Sequence, residues 1–460
     1  MRFEPDETKV ETKQFFDILG SVLRKFGEAA EEQLRFHDFG EAKITLAEMI
    51  QTTARELNES LAAVRTARNL GVFCGRYPEL ADAIIHRPKA LARFAGSLLL
   101  TQLTRPWMTP DEVQAAWSAK LAFIVFADAL DDLVDQGKIA PSELERVFRS
   151  SFELVFQLGS DMEGRWLDVA SPFPDSGEPV RNRARGALAA LHELLGSAKQ
   201  LETVLPALQR EADCFVRAQR VAVLLRDPNM TTDHVRGEAA ELPSPFLELP
   251  WFDRLAKSLT WVTSLTLIDL AFSGRLPPEM DQTRHLRAWY LLDSVLGGMD
   301  HLHSIQSDRA AGILNIAALA LTHPPGPSGR PARAAANAPS VAAYEGLLEH
   351  WADLSVDALA VHSTASAAGD QFYRNIAVAI PLVMLQLQSP GPSDLLHAYL
   401  RIFAAKLRRT LPTNSGGARP DPTGLGPYHS ARYSQQGSPE RTHLDFTTRP
   451  STFRLFRTPS

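Results

Sequence analysis

Apolar residues recur along most of this chain at intervals of three and four, the period of an α-helix that buries one face. The pattern predicts helices at roughly 12–34, 43–70, 78–103, 110–136, 141–160, 185–226, 250–273, 281–322, 340–367, 370–388 and 392–409. Pro/Gly clusters punctuate them at 171–179, 226–233, 241–250, 274–279 and 322–332. Strict alternation of apolar and polar residues is scarce, so the expected fold is all-α. We read it as a single large helical bundle over residues 43–409, preceded by an amphipathic helical extension at 1–42. Past Arg409 the periodicity stops. Residues 410–460 are rich in Pro, Gly, Ser, Thr and Arg, a composition that cannot bury a core and predicts a disordered, basic tail or lid.

One segment departs from simple amphipathicity. Residues 121–135 read LAFIVFADALDDLVD. Leu121 to Ala127 are apolar on every side, which predicts a buried helix. Asp128, Asp131, Asp132 and Asp135 follow at i, i+3, i+4 and i+7, a spacing that stacks four carboxylates on one stripe. An acidic stripe on an arbitrary helix is most often a solvated face. Here it continues a buried run, and buried carboxylates need a partner, for which a hard cation such as Mg²⁺ is suited.

Composition narrows the class. Length 460 with 45% hydrophobic residues fits a folded globular protein of one large domain or several ordinary ones. A formal net charge of −6 gives no basic footprint for nucleic acid. Two cysteines, Cys74 and Cys214, make a disulfide framework or zinc site unexpected and fit a reducing compartment. No stretch approaches eighteen unbroken apolar residues and the first residues are polar, so the expectation is a cytoplasmic protein without a membrane span.

A second oxygen-rich face lies at 300–315, DHLHSIQSDRAAGILN. Asp300, Ser304 and Asp308 are spaced by four on one helix face, a carboxylate, a hydroxyl and a carboxylate suited to Mg²⁺. Taken alone, Ser304 reads more readily as a surface hydroxyl. The two motifs together resemble the class I terpene synthase family, which carries a DDxxD motif on one helix and an Asn/Asp-x-x-x-Ser/Thr-x-x-x-Glu motif on another. Here the first is Asp131–Asp135 and the second is Asp300, Ser304 and Asp308, followed by Gly312 and Asn315 as in bacterial members. The family's diphosphate-sensing arginine stands 46 positions before the second motif, where this chain has Arg254. The resemblance covers roughly residues 75–400.

Three departures accompany it. Asp308 stands for the usual Glu, the basic residue before that acid is missing while Arg309 follows it, and the family's late Arg-Tyr pair occurs only as Arg432–Tyr433 in the tail. The resemblance implies a class I bundle with a cavity between helices and Mg²⁺, three ions per site, held by Asp131, Asp132, Asp135, Asp300, Ser304 and Asp308. The substrate would be a linear prenyl diphosphate, C15 or C20, ionised and cyclised to a terpene hydrocarbon or alcohol, with Arg254 and Arg309 toward the diphosphate. A homodimer is left open. Aromatic faces stabilise a passing cation, and the candidates are Phe123, Phe126, Trp261, Trp289, Phe372 and Tyr373; for each, plain core packing is the competing reading. A chain-elongating or head-to-head prenyl transferase is the enzymatic alternative, although a second DDxxD is absent. A helical scaffold with a solvent-facing acidic stripe is the alternative from another class.

Overall fold

The computed structural model describes residues 73–104, 108–135, 178–227, 229–242, 249–274, 282–322 and 341–362, with scattered positions at 15–28, 143–152 and 398–406. Within these residues 86% are helical and there is no strand, so the fold is all-α. The helices are α1 (Pro78–Ile85), α2 (Pro88–Thr104), α3 (Pro110–Asp135), α4 (Glu178–Leu195), α5 (Leu201–Leu224), α6 (Thr232–Ala240), α7 (Trp251–Ser258), α8 (Val262–Phe272), α9 (Gln282–Ala310), α10 (Ile316–Thr322) and α11 (Val341–His362). Asp135, Phe372, Tyr373, Arg432, Tyr433 and the whole 410–460 segment carry expectations that lie outside the described side chains.

Several expected helices are each two. Pro88 opens α2, and a residue before proline is disfavoured in the α conformation, so 78–103 divides at His86–Arg87. Residues 281–322 divide where Gly312 takes φ +72°, a left-handed value. There the Ile313 N–H donates to the Asp308 carbonyl at 2.8 Å and the Gly312 N–H to the Arg309 carbonyl at 3.2 Å, which closes the end of α9. The stretch 185–226 turns at Gly196–Gln200. Residues 250–273 divide at Leu259–Trp261 into α7 and α8, bent by 54°.

The core is one continuous apolar cluster. Helix α3 runs through it, packing most extensively on α4 and also on α2 and α8. Its Pro110–Leu133 stretch is long and apolar enough to span a bilayer by length and composition, yet 89% of that window is buried by neighbouring helices, as in the core helix of a bundle. Helix α9 packs chiefly on α7 and α11. Gly297 and Gly298, adjacent on α9, make this approach close. A Cβ on Gly297 would run into the Ala256 carbonyl of α7, and one on Gly298 into the Trp351 ring of α11. Close helix packing is what this glycine pair does. From the N-terminal extension, Phe15 and Leu19 are buried, with the Phe15 ring 6.3 Å from Phe94 of α2.

Buried polar staples fix the helices. The Lys120 ammonium of α3 donates to the Asp269 carboxylate of α8, to the Ser97 carbonyl at 2.9 Å and to the Thr101 hydroxyl at 2.9 Å on α2. Asp253 of α7 is fully buried and accepts from Trp351 Nε1 at 3.1 Å, with His350 Nε2 at 2.5 Å, both on α11. Burial pushes His350 down, and the Asp253 carboxylate outweighs it, so the imidazole's pKa is raised. Removing one partner of such a pair strands a buried charge, which is why they specify one packing.

Candidate functional site

Asp128, Asp131 and Asp132 of α3 are met by three arginines. Arg87, between α1 and α2, places Nε 2.5 Å from Asp128 and Nη2 2.6 Å from Asp132, with Nη1 also on Asp132. Arg183 of α4 donates to the same Asp132 oxygen. Arg93 of α2 reaches Asp131 at 3.4 Å and Asp128 at 4.0 Å. The side chains differ in access, with Asp128 8%, Asp132 16% and Asp131 28% exposed. Burial alone would raise Asp132, but the hydrogen bonds and charge of Arg87 and Arg183 outweigh it and hold this carboxyl below its ordinary value. Asp128 goes the other way, raised by burial against the pull of Arg87 and Arg93. Asp131 is thus more open than Asp128 and Asp132.

The second face is organised differently. Ser304 donates to Asp308 at 2.7 Å, and the Asn315 amide donates to Asp308 at 2.7 Å, to the Ser304 hydroxyl at 3.1 Å and to the His301 carbonyl at 2.7 Å. Asn315 is buried at the start of α10, where its Oδ1 also accepts the Ala318 N–H at 3.0 Å. The Gly312 turn is what folds Asn315 back onto α9. Asp300, Ser304 and Asp308 are half-buried, whereas Arg309 is exposed.

Arg254, on α7, spends its donors on backbone. Its Nε holds the Leu249 carbonyl at 2.8 Å and its Nη1 the Ala240 carbonyl at 3.0 Å, bracing the end of α6 against the start of α7. Among the aromatic candidates, Phe123 and Trp261 meet edge-on with centroids 4.9 Å apart. Phe152 and Phe215, which the sequence did not single out, complete the cluster: Phe215 lies 3.7 Å from Trp261, and Phe152 lies 5.5 Å from Phe126, 6.1 Å from Trp261 and 6.2 Å from Phe215. Such ring pairs each stabilise by about 0.5–1.5 kcal/mol beyond their buried area. Trp289 is buried on α9, one turn before Asp293.

Neither motif helix packs extensively on the other, while α8 bears on both. Trp261, which precedes α8, brings the aromatic cluster to the same place. Among the described residues no three His, Cys, Asp or Glu side chains converge as a preformed metal cage. The donors are nevertheless all hard oxygens, and Mg²⁺ is commonly held by one or two carboxylates together with substrate phosphates rather than by a protein cage, so the donor chemistry fits that ion. No protein-family model matches the chain, and no curated protein matches it.

Proposed function

We propose that the chain is a Mg²⁺-dependent enzyme of the class I terpene synthase kind, which ionises a linear prenyl diphosphate of C15 or C20 and closes the cation to a hydrocarbon or alcohol. The observation that carries this reading is that the two helices bearing the oxygen-rich faces, α3 and α9, both pack on α8, at whose start Trp261 gathers the aromatic cluster. Asp131, with Asp132, would hold Mg²⁺ on one side, and Asp300, Ser304 and Asp308 on the other. The ion would supply charge neutralisation for a departing diphosphate. The chain's own part follows from its residues. Arg87, Arg93 and Arg183 are cations beside Asp131 that an anionic head group would meet. Arg254 can join them only by leaving the Leu249 and Ala240 carbonyls. Phe123, Phe126, Phe152, Phe215 and Trp261 give a buried, water-poor wall whose ring faces favour a cation.

A second reading is favoured by the arginines themselves. With Asp128 and Asp132 neutralised by guanidinium groups, the stripe also works as a structural ion-pair network in a non-catalytic helical scaffold. Incubation with C10, C15, C20 and C25 prenyl diphosphates and Mg²⁺ separates these. Diphosphate release with new cyclic products in gas chromatography–mass spectrometry supports the cyclase, longer prenyl chains indicate a transferase, and a folded chain that releases no diphosphate is a scaffold.

A further inference from the structure

We propose that Asp293 is a catalytic residue, the proton acceptor that ends the cyclisation at the inner end of this site, an assignment that rests on the function proposed above. Asp293 lies on α9 seven residues before Asp300 and eleven before Ser304, so it continues their helix face two turns further along the helix. It is fully buried. One carboxylate oxygen, Oδ2, accepts the Thr263 N–H at 2.7 Å and the Thr263 hydroxyl, and so caps the first turn of α8 from another helix. Trp261, two residues before Thr263, offers no side-chain cap of its own and is the ring around which the aromatic cluster gathers.

The other oxygen, Oδ1, accepts no hydrogen bond among the described residues. A buried carboxylate oxygen left in this state is costly unless it meets a proton or a positive charge. The nearby ammonium does not cancel it. Lys257 is fully buried, pairs with the Glu211 carboxylate and lies 4.5 Å from the Tyr290 ring centroid. Burial lowers Lys257, and the charges of Glu211 and, less strongly, Asp293 outweigh that, so one ammonium is shared between two carboxylates. The two carboxylates and one ammonium thus leave one negative charge at the bend between α7 and α8, where Asp293 caps Thr263 two residues after Trp261. Burial also pushes its carboxyl up to about 6, against the pull of Lys257 and Thr263, which suits a base near neutral pH.

The step balances without a further reactant. A C–H bond next to the cationic carbon breaks, its electron pair becomes the new C=C bond, and the proton goes to Oδ1, from which solvent later removes it. The competing acceptor is the released diphosphate.

Asp293→Asn tests this, because an amide oxygen can still cap Thr263 while the basic oxygen is lost. With the prenyl diphosphate that the wild-type chain turns over, the ratio of the wild-type alkene to other products is expected to fall by about tenfold or more in D293N. Thr263→Val, which removes only the hydroxyl contact, is expected to keep the wild-type ratio. Should D293N be too unstable to assay, Asp293→Ser carries the same expectation. An unchanged product ratio in the Asp293 variants, or an equal change in Thr263→Val, overturns the assignment while leaving the proposed function standing. Absence of diphosphate release by the wild-type chain overturns both.

Discussion

The two oxygen-rich faces look alike in sequence and are built on opposite electrostatic plans. On α3, Asp128 and Asp132 are closed by guanidinium groups from three other segments, so negative charge is neutralised within the protein. On α9, Asp308 accepts hydrogen bonds from a hydroxyl and an amide, both neutral. The oxygens of Ser304 and Asp308 are thereby ordered by neutral groups, whereas a cation at Asp128 or Asp132 would have to displace an arginine. The difference separates a ligand-ready face from one that also holds the bundle together, and the two should respond to substitution in different currencies, turnover and stability.

The sharpest break lies within the α3 stripe itself. Asp131→Ala is expected to lower Mg²⁺-dependent diphosphate release by at least about 100-fold, some 2.7 kcal/mol on the barrier, with the melting temperature nearly unchanged. Asp131 is more open than Asp128 and Asp132, and Arg93 reaches it at 3.4 Å. Steady-state kinetics beside thermal melting decides it, and wild-type turnover by a folded D131A removes α3 from the site. Asp132→Ala should instead destabilise the fold by about 2 kcal/mol, because Arg87 and Arg183 lose a largely buried partner. Urea unfolding measures this, and an unchanged midpoint means that the arginines find other partners at no cost.

On α9 the effect moves to metal affinity. Asp308→Ala and Ser304→Ala are each expected to raise the Mg²⁺ midpoint about tenfold, since losing one oxygen loosens a near-octahedral ion. Asp308→Glu should be tolerated, and Asn315→Ala should fall between, because it unlocks both Ser304 and Asp308. Equal midpoints in a Mg²⁺ titration of all four variants would show that this face holds no ion.

How far these contrasts could be read from the chain depends on sequence distance. The helix class and both motif faces are legible because i, i+3 and i+4 neighbours share a face by helical geometry alone. Gly312 and Pro88 announce their breaks. Arg87, Arg93 and Arg183 do not announce themselves, since each meets its aspartate across 38 to 51 residues. The one usable signal was the question of which cation satisfies a buried acid when no metal is assumed. The bend at Leu259–Trp261 has neither Gly nor Pro, and its stabilising cap, Asp293, lies 30 residues away from Thr263. Phe152 and Phe215 joined the aromatic cluster for the same reason, tertiary packing that periodicity does not encode. The second face was more fully written locally, because Ser304, Asp308 and Asn315 fall within twelve residues of one another.

The smallest effect sharpens the comparison through pH. Arg87 and Arg183 hold Asp132 below its ordinary carboxylate value in the fold. A carboxyl whose folded pKa is depressed contributes stability that is present above the unfolded value, about 3.9, and is lost as pH falls through the folded one. The stability gap between wild type and Asp132→Ala should therefore be flat from about pH 7 to pH 5 and shrink by roughly 1 kcal/mol as the solution is taken below about pH 4. The sign is fixed: acid weakens the wild-type chain relative to the variant, because protonating Asp132 removes the same ion pairs that the substitution removes. Asp308 accepts from the Ser304 hydroxyl and the Asn315 amide, with no guanidinium donor to it among the described residues, so Asp308→Ala serves as the comparison variant. Urea denaturation of the three chains across this pH range tests the contrast. A gap for D132A that is independent of pH would mean that its cost comes from packing rather than from the guanidinium clamp, and the two faces would then differ less than their hydrogen bonds imply.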